Sequence, residues 1–204
     1  MKTKTWMWLL GLVLLLTACG QPNSLAPQAY RNWVENPENG LRTSKALNGY
    51  RFQLQYRPHD YVLLHENSGQ VDDPKGWPEA LKDLEGLQYY TLRIATEDGS
   101  VSPLQANLQS ETEYYDRLAY LSNSIAADLS LIQGTDTLPC RLHHLERTYQ
   151  MAPYSQLVLA FEDAPADGSD RQLHFRDRMF GTGVVNLRIS GQALAEQPQL
   201  KIPR

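Results

Sequence analysis

The densest group of reactive side chains in this sequence is Cys140, His143, His144 and Glu146. Thiolate, imidazole and carboxylate are the ligands zinc prefers, and a catalytic zinc site uses three of them with a fourth position open. On a strand, side chains alternate between faces, so Cys140, Leu142, His144 and Glu146 would share one face and His143 would point away. The chemistry implied is metal-assisted hydrolysis by His144 and Glu146, with His174 or Cys140 as the further ligand. Against it, ligands at i, i+4 and i+6 on one strand are unusual, and neither HExxH nor CxxC occurs in the chain. A thiol nucleophile at Cys140 would need a base in contact and a depressed pKa. Sequence neighbours on a strand seldom meet that way, and a lone thiol usually packs as a small hydrophobe.

Other patterns are weaker. There is no GxSxG nucleophile elbow. Gly181-Thr182-Gly183 lacks the third glycine of a dinucleotide fingerprint and reads as a bulge or tight turn. Asp72-Asp73 precedes Pro74 and reads as a solvated turn. Asp163, Asp167 and Asp170 lack the central Gly and terminal Glu of an EF-hand. Trp33 and Trp77, with eleven tyrosines in the chain, could provide aromatic contacts for a sugar or peptide. The alternation in Tyr50 to Tyr56 suits core packing better. No cofactor and no resident metal are expected.

The elements that must position these residues are mainly extended. Tyr50, Phe52, Leu54 and Tyr56 alternate with polar residues, the pattern of a half-buried strand. Residues 87–96, 128–132, 157–162, 173–177 and 184–189 also read as strands, separated by Gly, Pro and Asp clusters. Residues 137–149 are ambiguous: a helix after Pro139 would align Leu142, Leu145 and Tyr149, but the flanking strands favour a strand. Short helices are expected over 29–35, ending at Asn36-Pro37, and over 77–85, bounded by Pro78 and Gly86. Between them, Pro58-His59-Asp60 turns the chain and 61–65 forms a short apolar run. The strongest helix covers about 110–126. Ser110-Glu111-Thr112-Glu113 is a capping box, and Tyr114, Leu118, Leu121 and Ile125 follow at helical spacing. The expected fold is therefore mainly β, α+β in detail: an antiparallel β-sandwich-like domain over 30–204 with one amphipathic helix.

The N-terminus carries an address. Lys2 and Lys4 precede an eleven-residue apolar run, Trp6 to Leu16. Spanning a bilayer takes about 20 apolar residues, so this run reads as a secretory signal rather than a membrane span. Leu16-Thr17-Ala18-Cys19 then resembles the lipobox of bacterial lipoprotein precursors. In that family the Cys thiol is diacylated, the signal is cleaved before it, and the new amine is often acylated. The resemblance implies a signal peptide over 1–18, a mature chain beginning at lipidated Cys19, and a partner in membrane lipid. Two or more acyl chains anchor a protein stably. In this family an Asp after the lipidated Cys retains the protein at the inner membrane. Gly20 stands there, which implies the outer membrane, with the domain facing the periplasm. Residues 19–29 then serve as lipidated Cys and tether.

Removing 18 residues from 204 leaves 186, enough for one domain with a real core. It also removes two of the 19 basic side chains, leaving 17 against 23 acids and a net charge of −6. That charge argues against a nucleic-acid partner. With Cys19 on lipid, Cys140 is the one thiol left, so no intrachain disulfide forms. Asn39-Gly40-Leu41, Gln55-Tyr56-Arg57-Pro58 and Glu146-Arg147-Thr148-Tyr149 are similar to pieces of uncharacterised lipoproteins from Bacteroidota-type bacteria. The leading expectation is a non-enzymatic envelope lipoprotein that binds a protein partner or scaffolds an assembly. A metal-assisted hydrolase and a glycan-binding lipoprotein are the alternatives.

Overall fold

The computed structural model describes residues 24–146, 152–164 and 167–203. The expected signal segment, Cys19, and Arg147 to Tyr149 lie outside the described residues.

Eight antiparallel strands form one sheet. In chain order they are β2 (Arg42–Leu47), β3 (Tyr50–Arg57), β4 (Leu87–Thr96), β5 (Leu129–Gln133), β6 (Asp136–Glu146), β7 (Tyr154–Glu162), β8 (Arg171–Arg176) and β9 (Val184–Ile189). Their order across the sheet is β2-β3-β4-β7-β6-β5-β8-β9. The edge strands β2 and β9 come to lie beside each other, so the sheet curls into a nearly closed barrel. A second, parallel pair joins β1 (Ser24–Leu25) to β10 (Gln199–Leu200). Part of the segment expected as tether is therefore folded against the C-terminal strand.

Alternation drives the curl. Phe52 and Leu54 of β3, Tyr90, Leu92 and Ile94 of β4, and Leu157, Leu159 and Phe161 of β7 all point inward and are fully buried. Each such side chain contributes about 2 kcal/mol by leaving water. The strands read from the sequence all form, including β6 across the ambiguous stretch. β2 carries no strand signal in the sequence. Its sequence, RTSKAL, is mostly polar because it is an edge strand whose residues stay at least partly exposed.

The two ends of the barrel are closed differently. At one end, α4 (Glu111–Ala119) continues through a π turn (Tyr120–Ser124) and a 3-10 turn (Ile125–Asp128). Ser110 Oγ accepts the Glu113 N–H at 3.2 Å, but Glu113 Oε2 accepts from Gln109 N, not from Ser110 N. Leu121 and Ile125 plug the interior. At the other end, α1 (Pro27–Glu35), α2 (His59–Glu66), α3 (Trp77–Lys82) and α5 (Gly191–Ala195) pack over a second cluster. It contains Tyr30, Val34, Leu41, Leu63, Leu64 and Trp77, and Tyr56 touches both cores.

The helix α2 starts within two residues of the end of β3. Pro58 ends the strand in extended geometry, and the chain turns straight into helix. Tyr61, Val62, Leu63 and Leu64 are four consecutive buried residues. The helix is enclosed on several sides, so the run shows no helical period in the sequence.

Candidate functional site

The candidate site on β6 is divided by a bulge. Cys140 pairs with Phe161 and Leu142 with Ala160, so Arg141 is an extra residue in the strand. Phe161 points into the barrel, and Cys140 packs beside it against the core. His144 pairs with Val158 and Glu146 with Gln156, on the outer face. The expectation that Cys140, His144 and Glu146 share a face is thus corrected. One inserted residue reverses the inside–outside alternation.

Each member has its own surroundings. Burial pushes the Cys140 thiol up to about 11, and its Sγ lies 3.2 Å from the Leu142 carbonyl. That is the reverse of an activated nucleophile. His143, on the Cys140 side, places Nε2 3.1 Å from the Ser122 carbonyl. His144 is exposed. His174 sits on β8 with Nδ1 2.9 Å from Asn186 Oδ1. Cys140 and His174 border one shallow depression of about 530 Å³, with Asp128 and Arg176. Asp128 there is engaged: Tyr120 O–H donates to Oδ2 at 3.0 Å. Arg178 Nη2 also pairs with Oδ1 at 2.8 Å, without the alignment of a hydrogen bond. Among the described residues, no three His, Cys, Asp or Glu side chains converge as metal ligands would.

The tryptophans do not form an open platform. Trp77 is 3% exposed and donates Nε1–H to Asp60 Oδ1 at 2.8 Å. Trp33 is partly buried against the same cluster. Trp77 is a packing residue, which corrects its reading as a contact residue, while Trp33 keeps part of its surface exposed.

The structure instead assembles a polar groove of about 260 Å³ that the sequence did not reveal. Its floor is the outer face of β2, β3, β4, β7 and β6. Register lines up Gln53, Arg93, Gln156 and Glu146 in one row. Arg42, Gln55 and Thr91 form the next row. Glu35 of α1 and Tyr61 and His65 of α2 make the wall.

Three arginines line this groove, and the described carboxylates pair with none of them. Arg42 donates Nε–H and Nη2–H to Gln55 Oε1 at 3.2 and 2.7 Å. Arg93 donates likewise to Gln156 Oε1 at 3.0 and 2.8 Å, and its Cζ lies 4.0 Å from the centre of the Tyr154 ring. A carboxamide oxygen orients a guanidinium without neutralising it. Gln156 Nε2 in turn donates to Glu146 Oε2 at 2.5 Å. Glu35 accepts the Tyr61 O–H at 3.0 Å and faces Arg31. Burial and the Glu35 carboxylate push Tyr61 up to about 12.

Arg57 is the extreme case. It continues the outward parity of Arg51, Gln53 and Gln55 to the end of β3, where α2 covers it. It is 6% exposed, and its Nε has no hydrogen-bond partner. The Tyr61 ring lies 5.7 Å from its Cζ, a cation–π contact that offsets only a fraction of the desolvation of a charge. A buried cation of this kind is costly unless something else neutralises it. The signal was present in the sequence: Arg57 lies between an alternating strand and the apolar run at 61–64. What was absent was any sign that the run folds back over it.

No family model, no curated protein and no solved structure matches this chain.

Proposed function

We propose that this chain is a lipid-anchored envelope lipoprotein whose barrel domain is a non-enzymatic binding module, and that the groove over β2–β3–β4–β7–β6 is where it binds. The anchor is Cys19, and the domain faces the periplasm from the outer membrane. The reading of the anchor rests on Leu16-Thr17-Ala18-Cys19 after the apolar run. Among the described residues no helix is long and apolar enough to cross a membrane. The reading of the groove rests on one observation above all: Arg57 is buried at its edge, its Nε has no hydrogen-bond partner, and among the described residues no carboxylate pairs with it. Binding sites characteristically keep polar groups that folding alone leaves unsatisfied.

Cell fractionation tests the anchor. The native chain is expected in the membrane fraction and a Cys19→Ala chain in the soluble one. Equal membrane association of the two would overturn the lipoprotein reading. Crosslinking in intact cells tests the module. A photo-crosslinking residue at Gln53, on the groove floor, is expected to capture a stoichiometric envelope component that one at Thr112, on α4, does not. Equal capture from both positions would overturn the groove as the binding face.

A further inference from the structure

We infer that Arg42, Arg57 and Arg93 form a receptor for the oxyanion group, carboxylate or phosphate, of a small water-soluble ligand, with Arg57 as the buried anchor. The inference deepens the binding-module reading of the same groove and rests on it.

Three features point to an oxyanion. Arg57 is an enclosed guanidinium whose Nε finds no partner, and among the described residues no carboxylate pairs with it. Arg42 and Arg93 are held in place by the neutral oxygens of Gln55 and Gln156, and among the described residues no carboxylate pairs with either. The two acids in the lining accept from neutral donors, Glu146 from Gln156 and Glu35 from Tyr61, and keep their charge, so three arginines against two carboxylates leave the groove with one positive charge in excess. Planar guanidinium forks match carboxylate and phosphate oxygens in pairs, with charge-assisted hydrogen bonds.

The remaining lining defines the rest of the ligand. Gln53, Thr91 and His65 offer donors and acceptors, and no lining residue is aliphatic. An acyl chain would find little besides the Tyr61 ring to cover it there. The groove therefore suits a compact polar molecule and not a lipid tail.

The test uses the full chain in detergent, with inorganic phosphate and succinate as probes. Either probe is expected to raise Tm in a saturable way, because a ligand that binds the folded state stabilises it by mass action. The probe that acts identifies the oxyanion. Arg57→Met is expected to weaken that binding about 10- to 100-fold, the loss of one charge-assisted contact. The same variant is expected to have a higher Tm than the native chain without ligand, since an unpaired buried charge has been replaced by an apolar side chain. A merely structural Arg57 would show the opposite: a lower Tm and an unchanged response to the probes. Arg42→Gln and Arg93→Gln, on the partly buried floor, carry the test if Arg57→Met fails to fold. Each is expected to reduce affinity several-fold. No saturable response to either probe, or responses unchanged in these variants, would overturn the assignment. If the Gln53 crosslink still captured its partner in a chain blind to both probes, the oxyanion receptor would fall and the binding module would stand.

Discussion

Cys140 and His144 face opposite sides of β6, although four residues separate them on one strand. Cys140 opposes Phe161 inside the barrel, and His144 opposes Val158 on the outer surface. Strict alternation would place them together. Arg141, the extra residue of the bulge, reverses the parity between them. The hydrolase arrangement of Cys140, His144 and Glu146 is therefore not assembled.

The thiol gives the first prediction. Cys140 is the one cysteine in a Cys19→Ala chain, so labelling with iodoacetamide reports it alone. With its pKa pushed up to about 11 from 9.0, the folded thiol should alkylate about 100-fold more slowly at pH 8 than in urea. The rate should climb about tenfold per pH unit until the pH nears 11. The unfolded thiol releases its proton first, so the contribution of this group to stability is intact below pH 9 and is lost as pH rises from 9 toward 11. Equal labelling rates in the folded and unfolded chains at pH 8 would refute this.

His144 gives the second. It is exposed on the outer face of β6, so His144→Ala should change stability by less than about 0.5 kcal/mol. Metal content of the purified chain should be the same with and without the substitution. Stoichiometric zinc that disappears in the variant would reinstate the hydrolase reading.

Arg117 on α4 tests how the loop before that helix is held. It is 6% exposed and donates Nη1–H to the carbonyls of Pro103 and Ala106, each at 2.7 Å, while Nη2 pairs with Glu113. Arg117→Met leaves both carbonyls without their donor and should cost about 2 to 4 kcal/mol. Urea unfolding should show a lower midpoint with an unchanged slope. A loss below about 0.5 kcal/mol would mean that water replaces the guanidinium.

Asp177 tests the turn between β8 and β9. Its carboxylate accepts from Met179 N at 2.8 Å, Phe180 N at 2.9 Å, Thr182 N at 2.7 Å and Thr182 Oγ1 at 2.7 Å. Asp177→Ala removes the acceptor for three backbone N–H groups and should cost about 3 kcal/mol. Asp177→Asn keeps one acceptor oxygen and should lose less. Faster amide exchange confined to 178–183 is the expected signature, and an unchanged exchange pattern would count against it.

Much of the fold was legible in the sequence. The alternation of Tyr50 to Tyr56, the strand at 87–96 and the strand at 184–189 each carry a period of two that water enforces locally. The Ser110 cap and the Gly181-Thr182-Gly183 turn are equally local. β2 was not legible, because an edge strand with exposed side chains carries no such period. The helix α2 was not, because burial on several sides erases the helical period of its residues.

The candidate site was less legible than the fold. Glu146, a candidate from residue type, does reach the groove, but as the acceptor for Gln156 and not as a ligand beside Cys140. The arginines carry no signal of their own in the sequence, because an arginine on the polar side of a strand normally lies in water.

The sequence alone determined most of the strands and the scarcity of thiols, since each depends on neighbouring residues or on composition. The tertiary structure decided the parity of β6, through one residue inserted against β7. It also decided the environment of Arg57, through a helix folded back over the end of its own strand. Both effects depend on which surface meets which across the fold, and solvent exclusion gives an unpaired charge its consequence only after that meeting has occurred.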